Sequence, residues 1–112
     1  MKFSCSQQTL TKALNIVSKA VTIRTTIPIL KGILLKVDND GILTMSASDL
    51  DLSIEKKLKV ENFIPGETVV LSKLFGDIIR KLPDGIITVE ETDGKVNIKC
   101  SNSEFNIIGL PA

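Results

Sequence analysis

Histidine, tryptophan and tyrosine are absent from this chain of 112 residues, and phenylalanine occurs four times. Without histidine there is no imidazole to act as a general base or a metal ligand. With phenylalanine as the only stacking ring, a single-strand binder built on aromatic platforms is disfavoured. No apolar run approaches the roughly 18 residues of a membrane span. No apolar segment follows the basic residue of Met1-Lys2-Phe3-Ser4, so the start does not read as a signal peptide, and a cytoplasmic location is expected. Cysteine is scarce: Cys5 and Cys100 each sit in a strand-like stretch. Two small buried thiols are the plainer reading, with a disulfide or a reactive thiol as the alternatives. There is no glycine-rich phosphate loop, Cys-x-x-Cys or nucleophile elbow. No catalytic constellation is found, and no cofactor or metal is expected. Asp49 and Asp51 share a strand face and could hold a cation weakly. Yet Leu50, Leu52 and Ile54 alternate with Asp51, Ser53 and Glu55, which makes an exposed polar face the plainer reading.

What is present suits one folded domain. Apolar residues make up 43% of the chain and charged residues 24%, enough for a core and too few charges for disorder. The formal net charge of +1 hides an uneven distribution. Residues 1 to 37 carry Lys2, Lys12, Lys19, Arg24, Lys31 and Lys36 and no acid, a net +6. Residues 38 to 112 carry eight bases and thirteen acids, a net −5. A basic segment of this kind makes a local positive field.

The pattern along the chain repeats. Met1 to Cys5 reads as a strand, and Ser6 as a helix cap. Leu10, Ala13, Leu14, Val17 and Val21 then mark one apolar helix face. Strands follow over Ile29 to Val37, Ile42 to Ala47 and Leu50 to Val60, the first two joined by a turn at Asp38-Asn39-Asp40-Gly41. After Pro65-Gly66 the order recurs. Glu67 to Leu71 is a strand and Ser72 a second cap. Leu74, Phe75, Ile78, Ile79 and Leu82 form a helix face that ends at Pro83. Strands follow over Ile86 to Glu90, Lys95 to Cys100 and Glu104 to Ile108. With an offset of 53 residues, Asp40-Gly41 falls on Asp93-Gly94. Leu43, Met45 and Ala47 fall on Val96, Ile98 and Cys100, Ser48 on Ser101, Leu52 on Phe105, and Ile54 on Ile107. The reading is α+β: two β-α-β-β-β halves, with two helices packed on one face of antiparallel sheets.

The polar faces of these helices point into solvent. Gln8, Lys12, Asn15 and Lys19 fall within about 60° on a helical wheel, opposite the Leu10 and Val17 face. Lys73 and Arg80 share a face of the second helix with Asp77, and Lys81 flanks it. Gly76 lies near that face, at a cost of about 1 kcal/mol relative to alanine, for no reason visible in the sequence. A plain solvated surface is one reading of these stripes. A surface facing a polyanion is the other, and the absence of a base-reading cluster then favours non-specific phosphate attraction. Arg24, in a loop of the acid-free segment, is either solvated or a further phosphate contact.

Several stretches together resemble the bacterial replicative sliding clamps, the β subunits of DNA polymerase III. Met1-Lys2-Phe3 is similar to the family's start, and Ile27-Pro28-Ile29-Leu30 with Gly32-Ile33-Leu34-Leu35 to its loop and second strand. Ala47-Ser48-Asp49-Leu50-Asp51-Leu52 resembles a further family stretch. Phe75, Ile78, Arg80, Leu82 and Pro83 match its second helix, and Phe105 to Ala112 resembles the strand closing the domain. The resemblance runs over residues 1–112 and implies the first of three similar domains in a subunit, the other two lying beyond Ala112. It implies a non-catalytic processivity factor: a ring of two subunits, closed head to tail, that encircles duplex DNA and tethers the polymerase. The candidate DNA-facing residues are Lys12, Lys19, Arg24, Lys73 and Arg80. The family is usually basic at the positions of Arg24, Lys73 and Arg80, whereas Lys12 and Lys19 rest on the helical wheel. The candidate subunit interface is Ile78, Leu82, Phe105 and Ile107, for each of which plain core is an equal reading. Asn102 and Glu104 stand where some members are basic, so the family's ion pairing does not carry over. Polymerase and clamp-loader contacts would lie in the absent domains. Two other classes stay open: an enzyme with an acidic metal site at Asp49 and Asp51, and a stand-alone, non-specific DNA-binding module.

Overall fold

Ser6 ends the first strand and starts the first helix, its hydroxyl accepting a hydrogen bond from the Thr9 backbone N–H at 3.1 Å. This is the expected cap, satisfying one of the donors a helix start leaves unpaired. The structure is a computed structural model and describes residues 1–20, 32–48 and 53–109. In chain order, the first half is β1 (Lys2–Ser6), α1 (Gln7–Val17), a 3-10 turn (Ser18–Ala20), β2 (Gly32–Val37), β3 (Ile42–Ser48) and β4 (Ser53–Lys59). A short β5 (Glu61–Ile64) follows, and then the second half: β6 (Gly66–Leu71), α2 (Ser72–Lys81), β7 (Ile86–Thr92), β8 (Lys95–Cys100) and β9 (Ser103–Ile108).

The strands form two antiparallel sheets, ordered β5-β1-β7-β8-β9 and β4-β3-β2-β6. The two halves exchange their first strands. β1 pairs with β7 of the second half, and β6 pairs with β2 of the first. Neither half is therefore complete alone. Leu10, Leu14 and Val17 of α1 and Phe75 and Ile79 of α2 are fully buried with Phe3, Ile33, Leu35, Leu43, Met45, Ile87 and Ile98. They belong to one continuous core shared by both sheets and both helices.

Three details differ from the expectation. Ser72 is not the second cap: Leu71 holds that position and makes no side-chain cap bond, while Ser72 is the first helical residue and is buried. β5 was not visible in the sequence because all four of its residues are exposed, leaving no alternation to read. It adds to β1 across a bulge, where Asn62 takes a φ of 47°. The duplication also breaks at its end. Gly41 and Gly94 share φ values of 78° and 79°, and Met45 and Ile98 are both buried, as the offset of 53 requires. But Met45 pairs with Lys56, and Ile98 pairs with Phe105. The structural counterpart of Phe105 is thus Lys56, and by the same pairing that of Ile107 is Leu58. The connection after β3 is longer than that after β8, which shortens the offset from 53 to 49.

Cys5 and Cys100 are both buried and free, as the plainer sequence reading expects. Ile87 of β7 pairs with both, so a whole strand separates them. Two strand spacings, about 10 Å, exceed the reach of a disulfide. The Cys100 thiol donates to the Pro83 carbonyl at 3.4 Å. Burial pushes the Cys5 thiol up from 9.0 to about 11. Below about pH 8 both folded and unfolded chains keep this proton, and stability is unaffected. Above it the unfolded chain ionises first, so stability falls by about 2–3 kcal/mol as pH rises from 9 to 11. Urea midpoints compared at pH 8 and pH 10.5 should show this loss in the parent and not in Cys5→Ala, which separates it from lysine titration. An equal loss in both chains would remove Cys5 as its source.

Candidate nucleic-acid interface on the paired helices

α1 and α2 lie side by side because the start of one is tied to the end of the other. Gln7 donates its backbone N–H to the Gly85 carbonyl at 2.8 Å and its Nε2 to the Ile79 carbonyl at 3.1 Å. Gln8 Nε2 donates to Asp84 Oδ2 at 3.4 Å. These bonds hold the N-terminus of α1 against the C-terminal turn of α2, so the helices run antiparallel. The buried side chains of both point to the sheets, leaving their opposite faces to solvent.

That solvent face carries the candidate cations. Lys12 on α1 and Lys73, Arg80 and Lys81 on α2 are exposed, as are Gln8 and Asn15. Lys19 is exposed too, but it sits in the 3-10 turn after α1, so the α-helical wheel does not describe its direction. Arg24 lies outside the described residues, as do Asp49 and Asp51. Among the described residues the two helices carry one acid, Asp77, and Arg80 has no carboxylate within ion-pair distance. Arg80 instead bridges the helices, donating from Nη2 and Nε to Asn15 Oδ1 at 2.9 and 3.3 Å. Neither the wheel nor the spacing revealed this bond, because it joins residues 65 apart through an arginine folded back along its helix. No group of three or more Cys, Asp or Glu is placed to hold a metal among the described residues.

The four candidate interface residues separate. Ile78, Leu82 and Ile107 are 5–8% exposed and belong to the core. Phe105 is 39% exposed, on β9 at the open edge of its sheet. Its ring is on the core-facing side of the strand, because its partner Ile98 is fully buried. Further apolar residues on the same two elements, α2 and β9, are exposed. Leu74 was expected on the buried face of α2 and is 43% exposed, and Ile108 on the opposite side of β9 is 78% exposed. Glu104 on β9 is occupied within its own sheet. It accepts from Asn97 at 2.8 Å and pairs with Lys99 at 3.4 Å, and these partners hold its carboxyl below the usual range.

Comparison with known proteins places this arrangement. The family model for the DNA polymerase III beta subunit, N-terminal domain, matches residues 1–112. The chain belongs to that family. It is 40% identical to a beta sliding clamp of Vibrio harveyi, across all of this chain and 78% of that protein. It is 35% identical to the beta sliding clamp of Bacillus subtilis, across all of this chain and 32% of that one. Among solved structures, the Caulobacter crescentus pol III beta superposes with a TM-score of 0.92 at 37% identity, covering all of this chain and 30% of that one. The DNA polymerase III subunit beta of Pseudomonas aeruginosa gives 0.94 at 31% identity, covering 100% and 31%. The chain therefore spans about a third of the length of most of these relatives. The α+β clamp-domain architecture of paired helices on antiparallel sheets is common to them. No described helix is long and apolar enough to cross a membrane.

Proposed function

We propose that the chain serves bacterial DNA replication as the first domain of a ring-shaped clamp, a cytoplasmic, non-catalytic processivity factor that encircles duplex DNA and tethers the polymerase. Residues 1–112 would be one of three similar domains in a subunit that pairs head to tail with a second copy. The polymerase and the clamp loader would bind through the other two. The observation that carries this reading is the solvent face of α1 and α2. In a member of the sliding-clamp family, it presents Lys12, Lys73 and Arg80 with a single intervening acid. Lys19 extends the same basic run, and Arg24 belongs to the proposed set from its place in the acid-free segment.

Such a surface attracts phosphate without reading bases, and a clamp needs that attraction to be weak. A ring held by topology slides only if no contact locks. At the ring joint, Phe105 on the open β9 edge is the accessible anchor of the proposed set, while Ile78, Leu82 and Ile107 belong to the core.

A titration of the ¹⁵N-labelled chain with a short DNA duplex tests this reading. Expected are small, sequence-independent shifts confined to α1, the turn after it and α2, with dissociation constants in the millimolar range that weaken steeply with salt. Stoichiometric micromolar binding would instead make the chain a stand-alone DNA-binding module. A stable two-subunit ring of this chain alone in sedimentation would also contradict the proposal.

A further inference from the structure

Gly76 is buried although it faces the solvent side of α2, because the Arg80 side chain lies over it. A Cβ built at Gly76 would stand 2.7 Å from Arg80 Nη1 and 3.3 Å from Cζ. The guanidinium therefore occupies the space a side chain would fill, one turn back toward the start of the helix. Helical side chains lean that way, so the path is available to any arginine at this position. Only glycine beneath it lets the guanidinium settle onto the backbone. The far edge then reaches α1, where Asn15 Oδ1 accepts from Nη2 and Nε. Asn15 is neutral, and no carboxylate is within ion-pair distance of Arg80 among the described residues. The arginine is thus fixed without being neutralised, and the residue as a whole stays exposed.

We propose that Gly76 and Asn15 are positioning residues for Arg80: one opens a slot for its guanidinium, the other tethers it across the helix seam, and together they aim an undiminished charge at the phosphate backbone. This rests on the reading of the helix faces as DNA-facing. The glycine, a poor helix former at this place, is explained by what it admits rather than by its own conformation. A tethered arginine loses less freedom on meeting a phosphate than a mobile lysine does.

Arg24 and Arg80 are the only arginines, so the Nε–Hε spectrum holds two side-chain signals, and Arg80→Lys assigns them. In the parent, the Arg80 signal should show a high heteronuclear NOE, as rigid as the helix backbone. Gly76→Ala should loosen it to the value of a free side chain while the melting temperature stays the same or rises. Asn15→Leu should loosen it too, a check that does not touch the backbone of α2. Asn15→Asp should keep it rigid but cancel its charge. In duplex titrations, Gly76→Ala and Asn15→Asp should each lower the salt dependence by about one phosphate contact. An Arg80 signal in Gly76→Ala as rigid as in the parent would overturn the inference, whatever the duplex does. So would a loosened signal with an unchanged salt slope. If duplex shifts neither helix of the parent, the DNA-facing reading fails, and the aim at phosphate fails with it, while the NOE comparison still decides whether the slot and tether hold the arginine.

Discussion

Phe75→Ala is expected to lower the stability of the chain by about 3–5 kcal/mol, the cost of emptying a fully buried aromatic site. Phe75 is 0% exposed and belongs to the core that both sheets and both helices share. Domains of this size are typically stable by about 5–15 kcal/mol, so the loss takes a large part of the total. Urea unfolding should show a lower midpoint with an unchanged slope, and the melting temperature should fall by roughly 10 °C or more. Leu74→Ala, one residue away, is the control. Leu74 is 43% exposed, so its truncation should cost less than about 1 kcal/mol. Equal losses in the two variants would mean that α2 is rotated from the orientation described.

Reversing three charges together, Lys12→Glu, Lys73→Glu and Arg80→Glu, should abolish duplex-induced shifts on both helices at every salt concentration. The change replaces three exposed cations on the solvent face of the helix pair with three anions. Every cation withdrawn from a phosphate takes roughly 0.9 off the slope of log affinity against log salt. Withdrawing three, with repulsion added, leaves no attraction to measure. The substituted sites are exposed, so the melting temperature should change by only a few degrees. A control that reverses Lys57, Lys59 and Lys95 alters the net charge equally at exposed strand positions whose side chains point to the sheet faces opposite the helices. It should leave the helix shifts in place. An equal effect in the control would show that total charge, not the helix face, draws the DNA.

The parts of this fold legible in the sequence are those with a strong period. Leu10, Leu14 and Val17 announce the buried face of α1. The Asp-Gly turns at Gly41 and Gly94 announce matching hairpins, and both glycines do take positive φ. Legibility fails where period carries no information. β5 has no buried residue to mark it. Ser72 has the chemistry of a cap, but the helix begins one residue earlier than that chemistry suggests and takes Ser72 in as its first residue. Leu74 fits the helical spacing of the apolar residues, yet it lies at the margin of the α2 face and is left half exposed. The exchange of β1 and β6 between halves is a matter of long-range pairing, which local pattern does not encode. At the candidate site, exposed Lys12 and Lys73 were readable from the wheel, whereas Lys19 lies in the 3-10 turn beyond it. The Arg80–Asn15 bond was not readable, since it depends on the distance between two helices and on an empty slot at Gly76.

The pairing of Phe105 with Lys56 as internal counterparts has a bearing on how such domains join. Both stand on outermost strands, and both point to the helix-covered side of their sheets. A strand arriving beside β9 meets a phenyl ring and can form a dry contact. A strand arriving beside β4 meets an ammonium group, which must keep its water or find an acid. The duplicated fold therefore has a greasy terminus and a wet one, although its two halves share a plan. A second copy of the chain has no acid built to answer Lys56 from its own β9 core face, which offers Ser103, Phe105 and Ile107. Linear chains of identical domains are disfavoured at each such junction, and the molecule is given a direction.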